Sequence, residues 1–316
     1  AKHGRLSVKG ADLVDSKENK FQLRGISTHG INWDVGSPYV NKKAFKTLRD
    51  DWGVNAIRLA MYTEEYNGYC SGGSQAKLRK LVDKGVGYAT DLGMYAIIDW
   101  HILSDGNPNK NKSQAKKFFT TMAKKYKNNK NVIYEICNEP NGCSWKEIKS
   151  YATDIIKTIR KYDKKAVIIV GTPTWSQLGT DGTSNEVADS PIKGYKNIMY
   201  SLHFYASEWA HNEYLPAKVA YARKKKLPII VSEFGLSSAS GDGAINKASA
   251  DKWMKLLNKY NISYFCWSLS NKNESASLLK PSIKKNSGWK SGDLSTAGKY
   301  IKKKYLARKK ALGKKA

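Results

Sequence analysis

Short apolar runs alternate with longer amphipathic stretches along the chain, and this alternation constrains the fold more than any other feature. The apolar runs lack the polar–apolar alternation of a half-exposed strand, so we expect both faces of each strand to be buried, as in a parallel sheet. Eight predicted strands occupy residues 21–26, 56–61, 95–100, 132–137, 166–170, 198–204, 228–231 and 262–267. The amphipathic stretches, which predict helices, include residues 42–52, 75–92, 113–126, 144–162, 213–225 and 247–260.

Eight strands alternating with helices in a chain of 316 residues predict an α/β fold with a single closed (β/α)8 barrel, the TIM barrel. The alternative, an open doubly wound sheet, should carry a glycine-rich turn after its first strand. Residues 25–30 read Gly-Ile-Ser-Thr-His-Gly, which lacks the G-x-G-x-x-G spacing. Ahead of the barrel, polar and apolar residues alternate over positions 5–14 on both sides of a Lys9-Gly10 turn, and this pattern predicts an N-terminal β-hairpin.

No linker or fixed-period repeat divides the chain, so we expect one catalytic domain over residues 1–305. The basic segment 306–316 is expected to be a disordered tail or the frayed end of the last helix.

No apolar run approaches the ~18 residues that a membrane helix needs. No basic-then-apolar leader opens the chain, so a secreted protein would be present here in its mature form.

The chain is strongly basic, with a formal net charge of +28 from 55 basic and 27 acidic residues. Of the basic residues, 47 are Lys and only 8 are Arg. Nucleic-acid surfaces use Arg as well as Lys, because the guanidinium binds phosphates and base edges in a fork. Scattered lysines therefore predict a solvated surface, with neither nucleic acid nor membrane as a partner.

Four cysteines, at positions 70, 137, 143 and 266, are too few for a disulfide scaffold and lack the paired spacing of a zinc site. Cys137 and Cys266 lie within apolar runs and are expected to be buried thiols. A disulfide between Cys70 and Cys143 is left open by the sequence.

Enzymes of this fold place their sites at the carboxyl ends of the strands. Each of the eight predicted strands ends in, or is soon followed by, polar or aromatic residues that would converge on one rim. In strand order these residues are His29 and Trp33; Arg58 and Tyr62; His101; Asn138 and Glu139; Trp175 and Gln177; His203 and Tyr205; Glu233; and Trp267.

Glu139 and Glu233 follow apolar strands, the fourth and the seventh, so both should reach a sheltered barrel mouth. Burial raises a carboxyl pKa, whereas a nearby cation or hydrogen-bond donor, such as Arg58 or Tyr205, lowers it. Two carboxyls with pKa values pushed apart are what glycoside hydrolysis requires. We expect the two groups to lie ~5–5.5 Å apart, the separation of a retaining enzyme.

Five segments in this order resemble glycoside hydrolase family five, and within it the bacterial endo-β-1,4-glucanases, from about residue 4 to about residue 305. The segments are Ile57-Arg58-Leu59-Ala60-Met61-Tyr62, Ile98-Asp99-Trp100-His101, Ile133-Tyr134-Glu135-Ile136-Cys137-Asn138-Glu139-Pro140, His203-Phe204-Tyr205 and Val231-Ser232-Glu233-Phe234-Gly235. Close relatives often carry Trp at the position of Phe234, whose side chain we expect to point away from the sugar.

The resemblance implies a role for each matching residue. Glu139 would be the acid/base and Glu233 the nucleophile of a retaining endoglucanase. Further members of the active-site set would be Arg58, His101, Asn138, His203, Tyr205 and Trp267. Sugar-binding positions of the endoglucanase branch would be Trp33, Trp175, Lys272 and Glu274, and we add the rim residues His29 and Tyr62.

Three other functions compete with a cellulase. A β-mannanase of the same family would use the same two carboxyls on another sugar. A metal-dependent barrel hydrolase would need several His and carboxylate ligands around one ion, and the sequence has no His-x-His or His-x-x-x-His. A carbohydrate-binding protein without catalysis would keep the aromatics but would not need Glu139 and Glu233 together. We therefore expect a secreted, monomeric enzyme that acts on β-glucan without cofactor or metal.

Overall fold

A computed structural model describes residues 2–316. Strands β1 (Ser7–Lys9) and β2 (Asp12–Val14) form the predicted antiparallel hairpin. The next eight strands are parallel to their neighbours and form a closed barrel, as predicted. Their ranges are β3 Arg24–Thr28, β4 Ala56–Tyr62, β5 Tyr95–His101, β6 Val132–Glu135, β7 Ile168–Val170, β8 Ile198–Tyr205, β9 Ile229–Gly235 and β10 Tyr264–Leu269.

Helices follow the strands around the outside of the barrel. Their ranges are α1 Lys42–Trp52, α2 Gln75–Asp91, α3 Lys112–Tyr126, α4 Trp145–Arg160, α5 Pro173–Ser176, α6 Glu186–Asp189, α7 Trp209–Lys224, α8 Lys247–Lys259 and α9 Thr296–Leu312. Local sequence sets several of the boundaries. For example, Ser144 caps α4 by accepting from the backbone N–H of Glu147, whose side chain binds back to Ser144.

The interior of the barrel is filled at its amino-terminal end, which leaves only the carboxyl end free for a site. Leu6 and Leu13 of the hairpin segment pack with Phe21 and Leu23 against inward-facing barrel residues such as Ile97. The first barrel strand therefore begins at Arg24 rather than at residue 21, because Phe21 and Leu23 belong to this plug beneath the barrel. A larger apolar layer lies between the strands and the helices.

The last helix runs to Leu312, so the domain boundary that the sequence suggested at residue 305 falls inside it. Arg308 holds this end of α9 against the barrel, since its guanidinium donates to Gln22 Oε1 at 2.8 Å and to Asn261 Oδ1 at 2.6 Å. Residues 313–315 form a short 3-10 turn. The segment expected to be a disordered tail or the end of the last helix is therefore largely helical.

All four cysteines are free thiols, so the disulfide that the sequence left open between Cys70 and Cys143 is absent from the structure. Cys137 and Cys266 are buried, as predicted. Within residues 2–316, no helix has the length and apolar character to span a membrane.

Candidate active site

The carboxyl ends of the barrel strands bring the two candidate carboxylates together. Glu139 follows β6, and Glu233 lies in β9 directly beside His203 of β8. One oxygen from each glutamate and one ring nitrogen of His203 all lie within 4.8 Å of one another. The fold therefore brings residues almost a hundred positions apart in the sequence together in one candidate reaction centre.

Both oxygens of Glu233 accept a hydrogen bond from the protein. Arg58 Nη1 donates to Oε1 at 3.0 Å, and the hydroxyl of Tyr205 donates to Oε2 at 2.8 Å. The ion pair with Arg58 is buried, with the Arg58 side chain fully inaccessible and that of Glu233 only 7% exposed. These two donors hold the carboxylate in place and stabilise its negative charge.

Arg58 connects Glu233 to two further buried carboxylates. Its guanidinium binds Glu135 through Nε at 2.9 Å and Nη2 at 3.2 Å, and Nη2 lies 3.1 Å from Asp99. It also donates to Asn138 Oδ1 at 2.7 Å. Burial alone would lower the pKa of Arg58, but the three carboxylates outweigh burial and hold it well above its usual value.

One guanidinium cannot neutralise three buried carboxylates. Burial raises the pKa of Asp99 to about 7 and also raises that of Glu135, although Arg58 opposes both shifts. Asp99 Oδ2 lies 2.5 Å from His101 Nδ1. Burial holds the pKa of His101 well below its usual value, so the ring is neutral.

Glu139 is in a different environment. Burial raises its pKa to about 8, with Arg58 opposing the shift, so this carboxyl is protonated at neutral pH. Its Oε2 lies 2.6 Å from His203 Nδ1. Burial lowers the pKa of His203 to about 4, so this ring is neutral and carries a single N–H.

The hydrogen bonds around His203 show which ring nitrogen carries the proton. Ser232 donates its hydroxyl proton to Glu135 Oε2 at 2.8 Å, so its oxygen accepts from His203 Nε2 at 2.7 Å. The proton of the neutral ring is therefore on Nε2, and Nδ1 accepts from the protonated Glu139. His203 is therefore a neutral acceptor for the Glu139 proton, which leaves this hydrogen bond when it is transferred.

Aromatic rings line the cleft on one side of the carboxylates. Trp33 stacks on Tyr62 with ring centres 4.4 Å apart, and Trp267 stacks on His101 at 5.2 Å. His29 lies 4.8 Å from Trp267, and burial lowers its pKa to about 3. Flat, partly apolar walls of this kind suit the apolar faces of sugar rings.

Charged groups also line this side of the cleft. Lys272 Nζ lies 3.0 Å from Glu274 Oε1, and the side chain of Glu274 is only 8% exposed. Burial raises the pKa of Glu274, while Lys272 opposes the shift. The cleft residues on this side are His29, Trp33, Tyr62, His101, Glu233, Trp267, Lys272 and Glu274.

A second part of the cleft lies on the other side of Glu139. Trp175, Gln177, Glu208 and His211 line it, and Trp175 is 46% exposed. Both parts share the lining residues Leu103, Glu139, Tyr205 and Ala239. The cleft is therefore a groove that crosses the reaction centre.

The short α5 segment that presents Trp175 is not a regular right-handed helix, and its backbone is unusual. Thr174, Trp175, Ser176 and Leu178 have φ between 53° and 63°, a left-handed region that non-glycine residues rarely adopt. Buried contacts hold this conformation. Ser176 Oγ donates to Asn138 O at 2.7 Å, and Lys218 Nζ donates to Gln177 O at 3.0 Å.

The structure brings together the residues that the sequence nominated, and it adds others. Asn138 turns its amide between Arg58 and Ile102 O, so it acts on the site through Arg58. Phe234 stacks on Phe204 in the outer core, away from the cleft, as expected. The site residues that sequence reasoning missed are Asp99, Glu135, Ser232 and Lys218. The first two are charged residues inside otherwise apolar strands, a signal that could have found them.

Glu139, His203 and Glu233 could in principle hold a divalent ion, since their ligand atoms lie within 4.8 Å of one another. These atoms already have partners, however. Glu139 binds His203, and Glu233 accepts from Arg58 and Tyr205. A second cation beside Glu233 would be repelled by the Arg58 guanidinium, so the donor set suits proton transfer better than metal binding.

Comparison with known proteins places this geometry in a family. Residues 14–273 match the model of the cellulase family, glycosyl hydrolase family 5. Endoglucanase A of Butyrivibrio fibrisolvens is 45% identical over 303 residues, which cover 95% of this chain and 68% of the relative. An endoglucanase of Clostridium saccharobutylicum is 47% identical over 304 residues, or 95% of this chain and 64% of the relative. The chain thus spans about two thirds of the length of these relatives.

A solved structure gives the same result. The catalytic domain of Thermobifida fusca endoglucanase Cel5A (E5) superimposes with a TM-score of 0.89 at 36% identity, covering 96% of this chain and 98% of that one. With the family model matching most of the sequence, the chain belongs to glycosyl hydrolase family 5.

Proposed function

We propose that the chain is the catalytic part of an endo-β-1,4-glucanase that cleaves internal bonds of cellulose and related β-glucans with retention of configuration. The observation that carries this proposal is that one oxygen of Glu139 and one oxygen of Glu233 lie within 4.8 Å of each other. Retaining glycosidases hold their carboxyls about 5–5.5 Å apart, whereas inverting enzymes leave about 6.5–9.5 Å for a water. The names of relatives 42–47% identical over most of this chain support endoglucanase activity.

The first step uses the two carboxyls in opposite protonation states. Glu233, ionised beside Arg58, attacks the anomeric carbon and forms a glycosyl–enzyme ester. Glu139, whose pKa of about 8 keeps it protonated at neutral pH, gives its proton to the leaving glycosidic oxygen. Tyr205 and Arg58 release the Glu233 oxygens as the negative charge on Glu233 disappears.

The second step reverses the role of Glu139. Esterification removes the Glu233 charge, and Glu139, now a carboxylate, takes a proton from water as the water attacks the anomeric carbon. The ester bond breaks and Glu233 leaves as a carboxylate, again paired with Arg58. Two inversions at one carbon give net retention.

The shape of the groove supports cleavage within a chain rather than at its end. Lining residues extend from Trp33 and Glu274 on one side of Glu139 to Trp175 and Glu208 on the other. A polymer can therefore lie across the reaction centre with sugars bound on both sides. Because a polysaccharide cannot enter a cell, we also propose that the enzyme is secreted, and that it acts as a monomer because one chain supplies the whole site.

The substrate test compares reducing-end release from carboxymethylcellulose, mixed-linkage β-glucan, mannan and xylan. We expect the glucans to be cleaved fastest, with unchanged rates after chelator treatment, and with viscosity falling early as internal bonds break. Faster cleavage of mannan would support the β-mannanase alternative. Loss of activity with chelator would support the metal-dependent alternative, and cleavage of none of the polymers would contradict the proposed function.

The two glutamates should respond differently to substitution. Glu139→Ala removes the acid but leaves the nucleophile, so an aryl cellobioside with a good leaving group should still form the glycosyl–enzyme ester, which then hydrolyses slowly. Glu233→Ala should abolish that step with every substrate. Mass spectrometry of the trapped ester provides the measurement, and an ester found on Glu139 would reverse the assigned roles.

Retention of configuration can be measured directly. Proton NMR during the first minutes of cellohexaose cleavage should show the β-anomer of the new reducing end first, with the α-anomer appearing only as mutarotation proceeds. The spectrum of chemically equilibrated product serves as the control. An α-anomer that appears first would rule out double displacement.

A further inference from the structure

Exposed aromatic side chains continue beyond the groove on the side of Trp175. Trp209 is 69% exposed, Trp175 46% and Tyr214 37%. Among the described residues, the only other large hydrophobic side chains this exposed are Tyr66, Leu103 and Leu306. Leu103 lines the groove. Tyr66 lies beside it, since its backbone carbonyl oxygen accepts a hydrogen bond at 2.7 Å from Nε1 of the groove residue Trp33. Exposed apolar area is therefore concentrated along the groove and its extension, as expected for a binding surface.

Tyr214 contacts both Trp209 and the chain segment that follows Trp175. The loop that carries Trp175 continues to Gly182, which packs so closely on Tyr214 that an added Cβ would lie 2.8 Å from the ring. The Tyr214 ring in turn meets Trp209 edge-on, with centres 5.9 Å apart at 84°. Glu208, the residue before Trp209, lines the groove itself. The aromatic strip thus begins at the active site and ends at Trp209.

Trp209 forms one wall of a second cleft between α7 and α8. The cleft has a volume of about 410 Å³, and each helix contributes one face to it. Its apolar walls come from Trp209, Pro216, Trp253 and Leu256. Glu213 and Lys252 flank these walls, are exposed, and form no ion pair within residues 2–316. Both remain free to bind a ligand.

This combination of groups suits a neutral ligand with many hydroxyls. A broad indole face stacks on the apolar face of a sugar ring, and a carboxylate and an ammonium group supply an acceptor and a donor for hydroxyls. One charge of each sign favours neither an anionic nor a cationic ligand. The cleft is also continuous with the groove. A ligand that occupies both the groove and the cleft must be a polymer, because only a long chain spans the two.

We propose that Trp209 and the cleft between α7 and α8 form a second binding site for β-glucan chains. A chain that leaves the groove past Trp175 crosses Tyr214 and stacks on Trp209. This inference rests on the proposed function, since it takes β-glucan as the substrate. The site holds a long chain to the enzyme and adds nothing to the chemistry at Glu139 and Glu233.

Binding to amorphous cellulose tests the site, measured with Glu233→Ala as the parent so that no substrate is consumed. Adding Trp209→Ala should weaken binding about five-fold, the loss expected for one aromatic contact. Trp209→Phe should restore part of it. The control is Leu306→Ala, which removes another exposed apolar side chain, from α9, and should leave binding at the parent value.

A second measurement detects the contact itself. In a ¹H–¹⁵N spectrum of the Glu233→Ala protein, the indole signal that Trp209→Phe removes should shift on addition of cellohexaose. Unchanged cellulose binding by the Trp209→Ala variant, or an indole signal that cellohexaose does not move, would overturn the second site. Either result alongside normal β-glucan cleavage by the wild-type chain would leave the proposed function standing, whereas a wild-type chain that cleaves no β-glucan would contradict the function itself.

Discussion

The rest of the site depends on the ion pairs that the buried guanidinium of Arg58 forms. It holds Asp99, Glu135 and Glu233 in one cluster and is itself inaccessible to solvent. Removing Arg58 would leave these buried carboxylates without their cation, and the loss of one partner from a buried ion pair costs about 3–5 kcal/mol. The barrel tolerates this arrangement because β4, β5, β6 and β9 place all four charges within reach of one another.

The same cluster explains why two glutamates in one cleft do different work. Glu233 accepts a hydrogen bond from the Arg58 guanidinium. Glu139 instead binds the neutral ring of His203, and burial raises its pKa to about 8. Glu135 links the two, because it binds Arg58 on one side and, through Ser232, His203 on the other. A single network therefore stabilises charge on one carboxyl and a proton on the other.

Much of this could be predicted from the sequence because the barrel turns strand order into proximity. Unbroken apolar runs indicated parallel strands, and residues at their ends, such as Glu139 and Glu233, then had to share one rim. The backbone of residues 174–178 could not be predicted, because its left-handed conformation depends on tertiary contacts from Lys218 and Asn138. The sequence left open whether residues 306–316 continue the last helix or form a tail, because the contact of Arg308 with Gln22 depends on the tertiary fold.

Glu139 can act as the acid of the first step because its raised pKa keeps it protonated at neutral pH. The most direct test is ¹³C NMR of protein labelled at the glutamate carboxyl carbons, titrated with pH, with Glu139→Gln identifying the signal that belongs to Glu139. This signal should titrate at about pH 8, so that Glu139 loses its proton as the pH rises through that value. A Glu139 signal that titrates near the ordinary glutamate value of about 4.3 would show that Glu139 is ionised at neutral pH and cannot be the acid proposed here.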